Sequence, residues 1–430
     1  MRFYSTKSKS VTASLKQAVV SGLASDGGLF LPVSIPRVSQ DFLTGLRGKS
    51  FQEIAFRLAH HLLSEDLSES AVHEIVDAAF PFDAPLVALS KQIHALELFH
   101  GPTLSFKDFG ASFMARLIAY LDRAADRELV VLVATSGDTG SAVAHGFSNV
   151  QGTRVVLLYP SGKVSEIQEK QLTTGSDNIA ALEVHGNFDD CQTLVKQAFV
   201  DNELQAHLRL TSANSINIAR LIPQSFYYFH AWSQMETKNE VLISVPSGNY
   251  GNLTAGLLAK QMGLPVTKFI AASNSNDVVP EYMRSGIFRP RPSIKTLSNA
   301  MDVGNPSNFA RILSLYESRE NLSKVLAAAS YSDERTISAI REIYHDFHYI
   351  ADPHGAVGYL GLKEALQEHP SAAGIFLETA HPAKFPDIIK NALGVELPLP
   401  DEIQKCLAKT KRSIAMPNDF EEFKAYLLSL

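Results

Sequence analysis

The 430-residue sequence contains two cysteines, one tryptophan and no long run of apolar residues. Cys191 and Cys406 are too few for a disulfide framework or a thiolate metal site, and they favour a reducing compartment. No apolar segment approaches the roughly 20 residues that a membrane-spanning helix needs. The net charge of −6 at pH 7 provides no basic surface of the kind that binds nucleic acid. We therefore expect neither a membrane nor a nucleic acid as a partner.

Several common catalytic motifs are also missing. The chain has no GxGxxG dinucleotide fingerprint, no Walker loop, no GxSxG nucleophile elbow and no His-rich metal spacing. The first 25 residues are rich in serine and lack acids, as transit peptides do. They contain only one arginine and lead directly into DGGLFLP, so we predict a cytoplasmic protein.

What is present is an alternation of strands and helices. With 45% hydrophobic and 20% charged residues the chain is typical of globular proteins, and its length predicts two or more domains. Up to about residue 95 the apolar spacing is mainly helical. From there, short apolar runs end in polar turns and lead into helical patterns, which predicts an α/β fold with a parallel sheet covered on both faces. Residues 275–330 lack clear periodicity and are interpreted as a long inserted or lid-like connection.

One of the polar turns could bind a phosphate group. In parallel sheets, ligands bind where strands end, and SGNYGN (residues 247–252) lies between an apolar run and the helical LTAGLLAK. Glycines there would let successive backbone amides point at an anion. An ordinary strand-to-helix turn explains the same letters, so both interpretations stay open.

A lysine lies among aromatic residues in SFKDFG (residues 105–110). Lys107 is either a surface lysine whose stem lies on apolar residues, or a buried amine whose pKa desolvation lowers. We expect Lys107 to be buried between Phe106 and Phe109, with Asp108 and Ser105 either pointing away or bonding the backbone at the helix start. We expect no other lysine in a comparable setting. A lysine together with a phosphate loop fits a pyridoxal-phosphate enzyme.

Five motifs together carry a resemblance to a known family: LELFHGPTLSFKDFG, ATSGDTGSAVAHGF, SANSINIARL, VPSGNYGNLTAGLLAK and TAHPAKF. In this order they closely resemble the threonine synthase family, in its longer bacterial and fungal form, as do GLASDGGLFLP and TLSNAMDVGNPSN. The resemblance implies a fold-type-II pyridoxal-phosphate enzyme, similar to the tryptophan synthase β subunit. It also implies three parts: an N-terminal region (1–95), a catalytic core of two interleaved subdomains (96–390) and a C-terminal helical tail (391–430).

The activity implied by the resemblance is conversion of O-phospho-L-homoserine and water to L-threonine and phosphate, by β,γ-elimination and β-hydration. Lys107 matches the Schiff-base lysine, Thr379 the partner of the pyridine nitrogen, and Asp138 a position near the ring hydroxyl where many relatives have Asn. The cofactor phosphate loop corresponds to Gly248, Asn249, Tyr250, Gly251 and Asn252. Candidate substrate contacts are Thr135, Ser136 and Thr139 for the carboxylate, and Lys163, Ser215, Asn217 and Arg220 for the phosphate.

Three rival functions stay open at this point. A phospho-lyase of the same fold would eliminate phosphate and release 2-oxobutanoate without adding water. A serine/threonine dehydratase is disfavoured because a tetraglycine-like loop is absent. A non-catalytic sensor of a phosphorylated amino acid would have no use for Lys107. We expect a small-molecule substrate and a monomer or homodimer.

Overall fold

The computed structural model describes residues 1–235 and 240–430, and those residues form fourteen strands and twenty α-helices. The strands are β1 Arg2–Ser5, β2 Thr12–Ser14, β3 Phe30–Pro32, β4 Leu86–Ala88, β5 Ile93–Glu97, β6 Leu129–Ala134, β7 Thr153–Pro160, β8 Ile179–Val184, β9 Arg209–Ser212, β10 Val241–Pro246, β11 Lys268–Ser273, β12 Leu326–Ser330, β13 Ala373–Glu378 and β14 Ile414–Met416.

The helices follow the same numbering in chain order. They are α1 Leu15–Ser21, α2 Gln40–Thr44, α3 Phe51–Leu63, α4 Glu69–Ala79, α5 Lys107–Asp122, α6 Asp138–Gly146, α7 Glu166–Thr173, α8 Phe188–Val200, α9 Asn202–His207, α10 Ile218–Leu221, α11 Phe226–Gln234, α12 Gly251–Gln261, α13 Val278–Ser285, α14 Phe309–Tyr316, α15 Arg319–Ser323, α16 Asp333–Phe347, α17 Pro353–Glu368, α18 Pro386–Leu393, α19 Asp401–Leu407 and α20 Phe420–Leu428. None of the helices described is long and apolar enough to cross a lipid bilayer.

Two parallel sheets form the body of the fold, which confirms the predicted α/β architecture. The five-stranded sheet has the order β14-β8-β7-β6-β9, and all its pairs are parallel. The six-stranded sheet has the order β12-β11-β10-β13-β5-β4, with β4 as its one antiparallel edge strand. β6, β10 and β13 are buried along their whole length, as strands covered on both faces by helices must be.

The N-terminal region combines helices with a small sheet. α3 and α4 lie where the apolar spacing predicts them, and Ser50 and Ser68 cap their first turns. β1, β2 and β3 form an antiparallel sheet of their own. β4 and β5 instead belong to the six-stranded sheet, so the predicted boundary at residue 95 falls inside β5.

Two segments differ from their predictions. Residues 275–330 contain α13, α14, α15 and β12, and only residues 287–296 form a long stretch without regular structure. The many Pro, Asn and Ser residues obscured the buried face of α14, formed by Phe309, Ile312 and Tyr316. The C-terminal segment is not purely helical, because β14 pairs with β8. β14 has three residues, of which only Met416 is buried, so it is too short to produce a recognisable hydrophobic pattern in the sequence.

Candidate active site

Lys107 is the first residue of α5, and two backbone hydrogen bonds bring it close to a distant turn of the chain. Phe106 N donates to Thr379 O at 2.9 Å, and His381 N donates to Leu104 O at 3.0 Å. These bonds extend the contact between β5 and β13, which run side by side in the same sheet. The tertiary pairing therefore sets Lys107 beside Thr379.

The ammonium position of Lys107 is enclosed, which contradicts the surface-lysine interpretation. Its side chain is 15% exposed, and Nζ lies 3.8 Å from Asp138 Oδ2 and 5.0 Å from the centroid of the Phe106 ring. The pKa of Lys107 is lowered, mainly by burial. The Asp138 carboxylate acts to raise this pKa, and the charges of Lys384 and Arg220 lower it further. An amine with a lowered pKa has more of the neutral, nucleophilic form at neutral pH.

Phe109 does not flank Lys107, so that part of the prediction is wrong. Its ring packs in an aromatic cluster with Phe51, Phe82 and Tyr227, at centroid distances of 5.1, 5.0 and 5.2 Å. Residues two apart on a helix face different sides, because successive residues rotate by about 100°. Lys107 therefore faces the site, whereas Phe109 anchors α5 in the core.

Asp108 closes the turn before α5, as predicted. Its carboxylate accepts hydrogen bonds from Thr103 N at 2.9 Å and from Thr103 Oγ1 at 2.6 Å. Burial raises the pKa of Asp108 to about 6. Ser105 makes an isolated bridge with Ala380, but its buried hydroxyl has no hydrogen-bond partner in the described part of the chain.

The loop from Gly248 to Asn252 has the geometry of a phosphate site. Within residues 1–235 and 240–430, none of its five backbone amides donates to a protein acceptor, and α12 begins inside it. Tyr250 has φ of 62°, and its hydroxyl contacts Ser273 Oγ at 2.7 Å in the core, so only its backbone is free for a ligand. A Cβ on Gly248 would lie 2.6 Å from Met301 Cα. Free amides at a helix N-terminus fit an anion such as the cofactor phosphate.

The two asparagine side chains of this loop hold its shape. Asn249 Oδ1 accepts from Ser307 N at 2.7 Å, and Asn249 Nδ2 donates to Ser215 Oγ at 2.8 Å. Asn252 Oδ1 accepts from the hydroxyls of Tyr227 and Tyr228, both at 2.6 Å. Ser215, a predicted substrate residue, is therefore hydrogen-bonded to the predicted cofactor loop.

Thr379 presents a free hydroxyl at the end of β13. It is 6% exposed, and no described residue accepts or donates a hydrogen bond at its side chain, whereas its carbonyl is used by Phe106. The preceding Glu378 is fully buried and accepts from Asp352 N at 3.0 Å. Burial and the Asp352 carboxylate raise the pKa of Glu378 well above its ordinary value. Asp352 itself contacts His354, with 2.5 Å between Oδ1 and Nδ1. Because the Thr379 hydroxyl has no described partner, it is available as an uncharged hydrogen-bonding partner for a pyridine nitrogen.

Asp138 forms an ion pair with Lys384, a residue that was not predicted from the sequence. Lys384 Nζ lies 2.7 Å from Asp138 Oδ1 and donates to Thr103 O at 3.0 Å, and Gln168 Nε2 donates to the same Oδ1 at 3.0 Å. The Lys384 side chain is 1% exposed, so the expectation that no other lysine has a comparable setting is wrong. The sequence did contain an indication of Lys384, because this lysine belongs to the motif TAHPAKF, which begins at Thr379.

The candidates for the substrate carboxylate lie in the turn between β6 and α6. Ser136 is exposed and Thr139 is half-buried, so both are accessible to a ligand. Thr135 is 1% exposed, and its Oγ1 accepts from Gly137 N at 3.0 Å and from Gly140 N at 2.9 Å. Thr135 therefore shapes the turn. Lys163 is exposed in the turn after β7.

Asn217 and Arg220 are buried, and their hydrogen bonds go to protein atoms. Asn217 caps α10 and donates to Val19 O at 2.9 Å. Arg220 donates to Ala213 O at 2.5 Å and to Lys107 O at 3.4 Å, while its Nε has no partner in the described part of the chain. Burial lowers the pKa of Arg220 to about 10. Their contact with substrate stays a prediction, and Arg220 supports the backbone of Lys107.

Comparison with known proteins agrees with this geometry. The profile described as pyridoxal-phosphate dependent enzyme matches residues 83–376, the threonine synthase N terminus matches residues 2–80, and the threonine synthase C-terminal profile matches residues 355–427. The threonine synthases of Serratia marcescens and Escherichia coli are 44% and 42% identical to the chain, with 100% of each chain covered. The chain belongs to the threonine synthase family.

Solved structures of threonine synthases superimpose along the whole chain. The crystal structure of threonine synthase from Escherichia coli has a TM-score of 0.92 and covers 100% of both chains. The structure of pyridoxal-phosphate-bound threonine synthase from Brucella melitensis is 34% identical with a TM-score of 0.93, and it covers 100% of this chain and 99% of its own. The fold is therefore that of the fold-type-II pyridoxal-phosphate threonine synthases, and pyridoxal phosphate is the cofactor that the site fits.

Proposed function

We propose that this protein is a threonine synthase, converting O-phospho-L-homoserine and water to L-threonine and phosphate by β,γ-elimination and addition of water at Cβ. The observation that carries the proposal is the arrangement of three groups: the enclosed amine of Lys107, the free amides of residues 248–252 and the free hydroxyl of Thr379. These are the lysine, the phosphate site and the ring-nitrogen partner that pyridoxal phosphate requires.

Each of these groups has a task toward the cofactor. Pyridoxal phosphate supplies a conjugated ring that withdraws electrons from the substrate carbon next to the amino group. Lys107 would hold the cofactor as its Schiff-base lysine, and its amine would also move protons at Cα and Cβ of the substrate. The amides of residues 248–252 bind the phosphate. The Thr379 hydroxyl would form a hydrogen bond with the ring nitrogen. Unlike a carboxylate, it would not hold that nitrogen protonated, which would limit electron withdrawal into the ring.

The substrate is proposed to lie between the β6–α6 turn and the phosphate loop. The turn that Thr135 shapes presents Ser136 and Thr139 for the substrate carboxylate. Ser215, bonded to Asn249, and the exposed Lys163 are proposed to bind the leaving phosphate, since a dianion favours charge-assisted hydrogen bonds. Asn217 and the free Nε of Arg220 are proposed to complete this site.

One assay separates the candidate functions. The purified protein is incubated with O-phospho-L-homoserine, and phosphate, threonine and 2-oxobutanoate are measured together. Threonine equal to phosphate is the expected result. Phosphate accompanied mainly by 2-oxobutanoate would show a phospho-lyase, and saturable binding without phosphate release would show a sensor. Lys107→Ala is the control for turnover at this site.

We also propose a cytoplasmic location and a monomer or homodimer. The cysteines Cys191 and Cys406 are both free thiols, which supports a reducing compartment. Fractionation of the native host measures the location, and light scattering of the purified protein measures the mass in solution. A periplasmic or secreted pool, or a higher oligomer, would contradict these two expectations.

A further inference from the structure

One carboxylate lies between two buried lysines at the proposed active site. Asp138 Oδ1 is 2.7 Å from Lys384 Nζ, and Asp138 Oδ2 is 3.8 Å from Lys107 Nζ. The side chains of Asp138 and Lys384 are 4% and 1% exposed, so solvent screens neither charge. The function proposed above gives Lys384 no role.

The two oxygens of Asp138 have different partners. Oδ1 accepts hydrogen bonds from Lys384 and from Gln168 Nε2, whereas Oδ2 is beyond hydrogen-bond distance of Lys107. Asp138 is also the first residue of α6, where the helix dipole stabilises a negative charge. Burial by itself would raise the pKa of Asp138, but the charges of Lys384 and Lys107 and the hydrogen bonds from Lys384 and Gln168 together lower it, so Asp138 is a carboxylate at neutral pH. Of the two lysines, Lys384 has the larger effect on Asp138, and it alone makes a hydrogen bond to the carboxylate.

The other charged groups that face Lys107 do not supply it with a counter-ion. Arg220 on α10 carries the same charge as a protonated lysine, and Asp352 at the start of α17 is engaged in hydrogen bonds with His354 N and Nδ1. Asp108, on the same helix as Lys107, is occupied by Thr103. In the described part of the chain, Asp138 is thus the carboxylate nearest to Lys107, and Lys384 already holds it.

We propose that Lys384 is a positioning residue that acts as the fixed counter-ion of Asp138 and thereby leaves Lys107 free to react as a neutral amine. This inference rests on the proposed function, because it concerns the amine that receives the cofactor. Without Lys384, Asp138 would take the Lys107 ammonium as its partner. An opposite charge within about 4–6 Å shifts a pKa by roughly 1–3 units. The pH at which Lys107 becomes reactive should therefore rise by a similar amount.

The test measures covalent attachment of pyridoxal phosphate to the cofactor-free full-length protein as a function of pH. The attached cofactor is trapped with borohydride and located by peptide mass. In Lys384→Met the midpoint of the attachment rate should move to higher pH by about 1–3 units. Lys384→Arg, which keeps the charge, should restore most of the wild-type midpoint. Ionisations of the free cofactor are common to all variants and cancel in the comparison.

A double variant separates a charge effect from a packing effect. In Lys384→Met combined with Asp138→Asn, no carboxylate remains to stabilise the Lys107 ammonium, so the midpoint should return toward the wild-type value. Lys390→Met is the matched control, because Lys390 is exposed and pairs with Glu396 on the surface. An unchanged midpoint in Lys384→Met, or a double variant that behaves as Lys384→Met does, would overturn the proposal.

Two further measurements keep the test decisive. If Lys384→Met fails to fold, Asp138→Asn alone is measured: the inference expects a midpoint at or below the wild-type value, and a higher midpoint contradicts it. Attachment to Lys107 in the wild-type protein is measured separately. If wild type does not attach the cofactor at Lys107, the proposed function and this inference both fail. If it attaches there and the midpoint is insensitive to Lys384, only the inference fails.

Discussion

A single methyl group on Gly248 should weaken cofactor binding, because the proposed phosphate loop (residues 248–252) has no room for it. A Cβ at this position lies 2.6 Å from Met301 Cα and 3.1 Å from Ala300 O, both of which are backbone atoms. The opposing turn is itself held, because Ala300 N donates to His354 Nε2 at 3.2 Å. Neither backbone can yield by a rotamer change, so in Gly248→Ala the loop must move and its amides lose their alignment.

The expected size of the effect follows from the hydrogen bonds at stake. A hydrogen bond to a charged group contributes roughly 1.5–3 kcal/mol. Misaligning two of the five amides therefore costs about 3–6 kcal/mol, which is roughly a 10²- to 10⁴-fold increase in Kd. The assay is equilibrium dialysis of pyridoxal phosphate in a Lys107→Ala background, where covalent attachment cannot mask the loss.

Two glycine variants serve as controls for this experiment. Gly251→Ala places its Cβ 3.3 Å from Ser215 Cβ, a contact that a shift of a few tenths of an ångström relieves, so its effect on Kd should be smaller. Gly45→Ala lies in the N-terminal region with its nearest atom at 3.3 Å, and it should leave Kd unchanged. Equal Kd values for Gly248→Ala and Gly45→Ala would refute the assignment of the loop as the phosphate site.

Four further predictions concern single residues. Lys107→Ala should abolish threonine formation yet still bind pyridoxal phosphate non-covalently, without borohydride-stable labelling; substantial turnover would contradict the role of Lys107. Thr379→Asp should hold the ring nitrogen protonated and raise the ratio of 2-oxobutanoate to threonine, and an unchanged ratio would show that Thr379 does not contact the ring. Arg311 is fully buried and donates to the carbonyls of three residues, at 2.9, 3.0 and 2.6 Å. Arg311→Met should therefore lower the free energy of unfolding in urea by about 3 kcal/mol or more, whereas the exposed Arg319→Met should change it little. Because burial raises the pKa of Asp108 to about 6, above its ordinary 3.8, the folded state binds this proton more tightly than the unfolded state. The contribution of Asp108 to the free energy of unfolding should thus fall by about 3 kcal/mol as pH rises from about 4 through 6. In urea titrations at both ends of that range, the difference between wild type and Asp108→Asn should change by that amount.

The sequence by itself determined the class of fold and the central chemistry. Runs such as LVVLVA and VLISVP are apolar at every position, which only strands buried on both faces tolerate, and the parallel sheets follow from that. The glycines of SGNYGN indicated either a phosphate loop or an ordinary turn, and the resemblance to the threonine synthase family favoured the phosphate loop. The aromatic neighbours of Lys107 only raised the question of its burial, and the resemblance of the surrounding motif to the family singled it out as the Schiff-base lysine.

The tertiary structure alone decided which distant groups meet. Nothing local in β5 or β13 specifies that they pair, yet that pairing brings Lys107 to Thr379. Lys384 looked like any other lysine, since an ion pair depends on which side chain the fold places opposite it, here Asp138. Arg220 became a buried support of the Lys107 backbone for the same reason. Periodicity reports how much of an element is buried, whereas electrostatic partners are set by contacts between residues far apart in the chain.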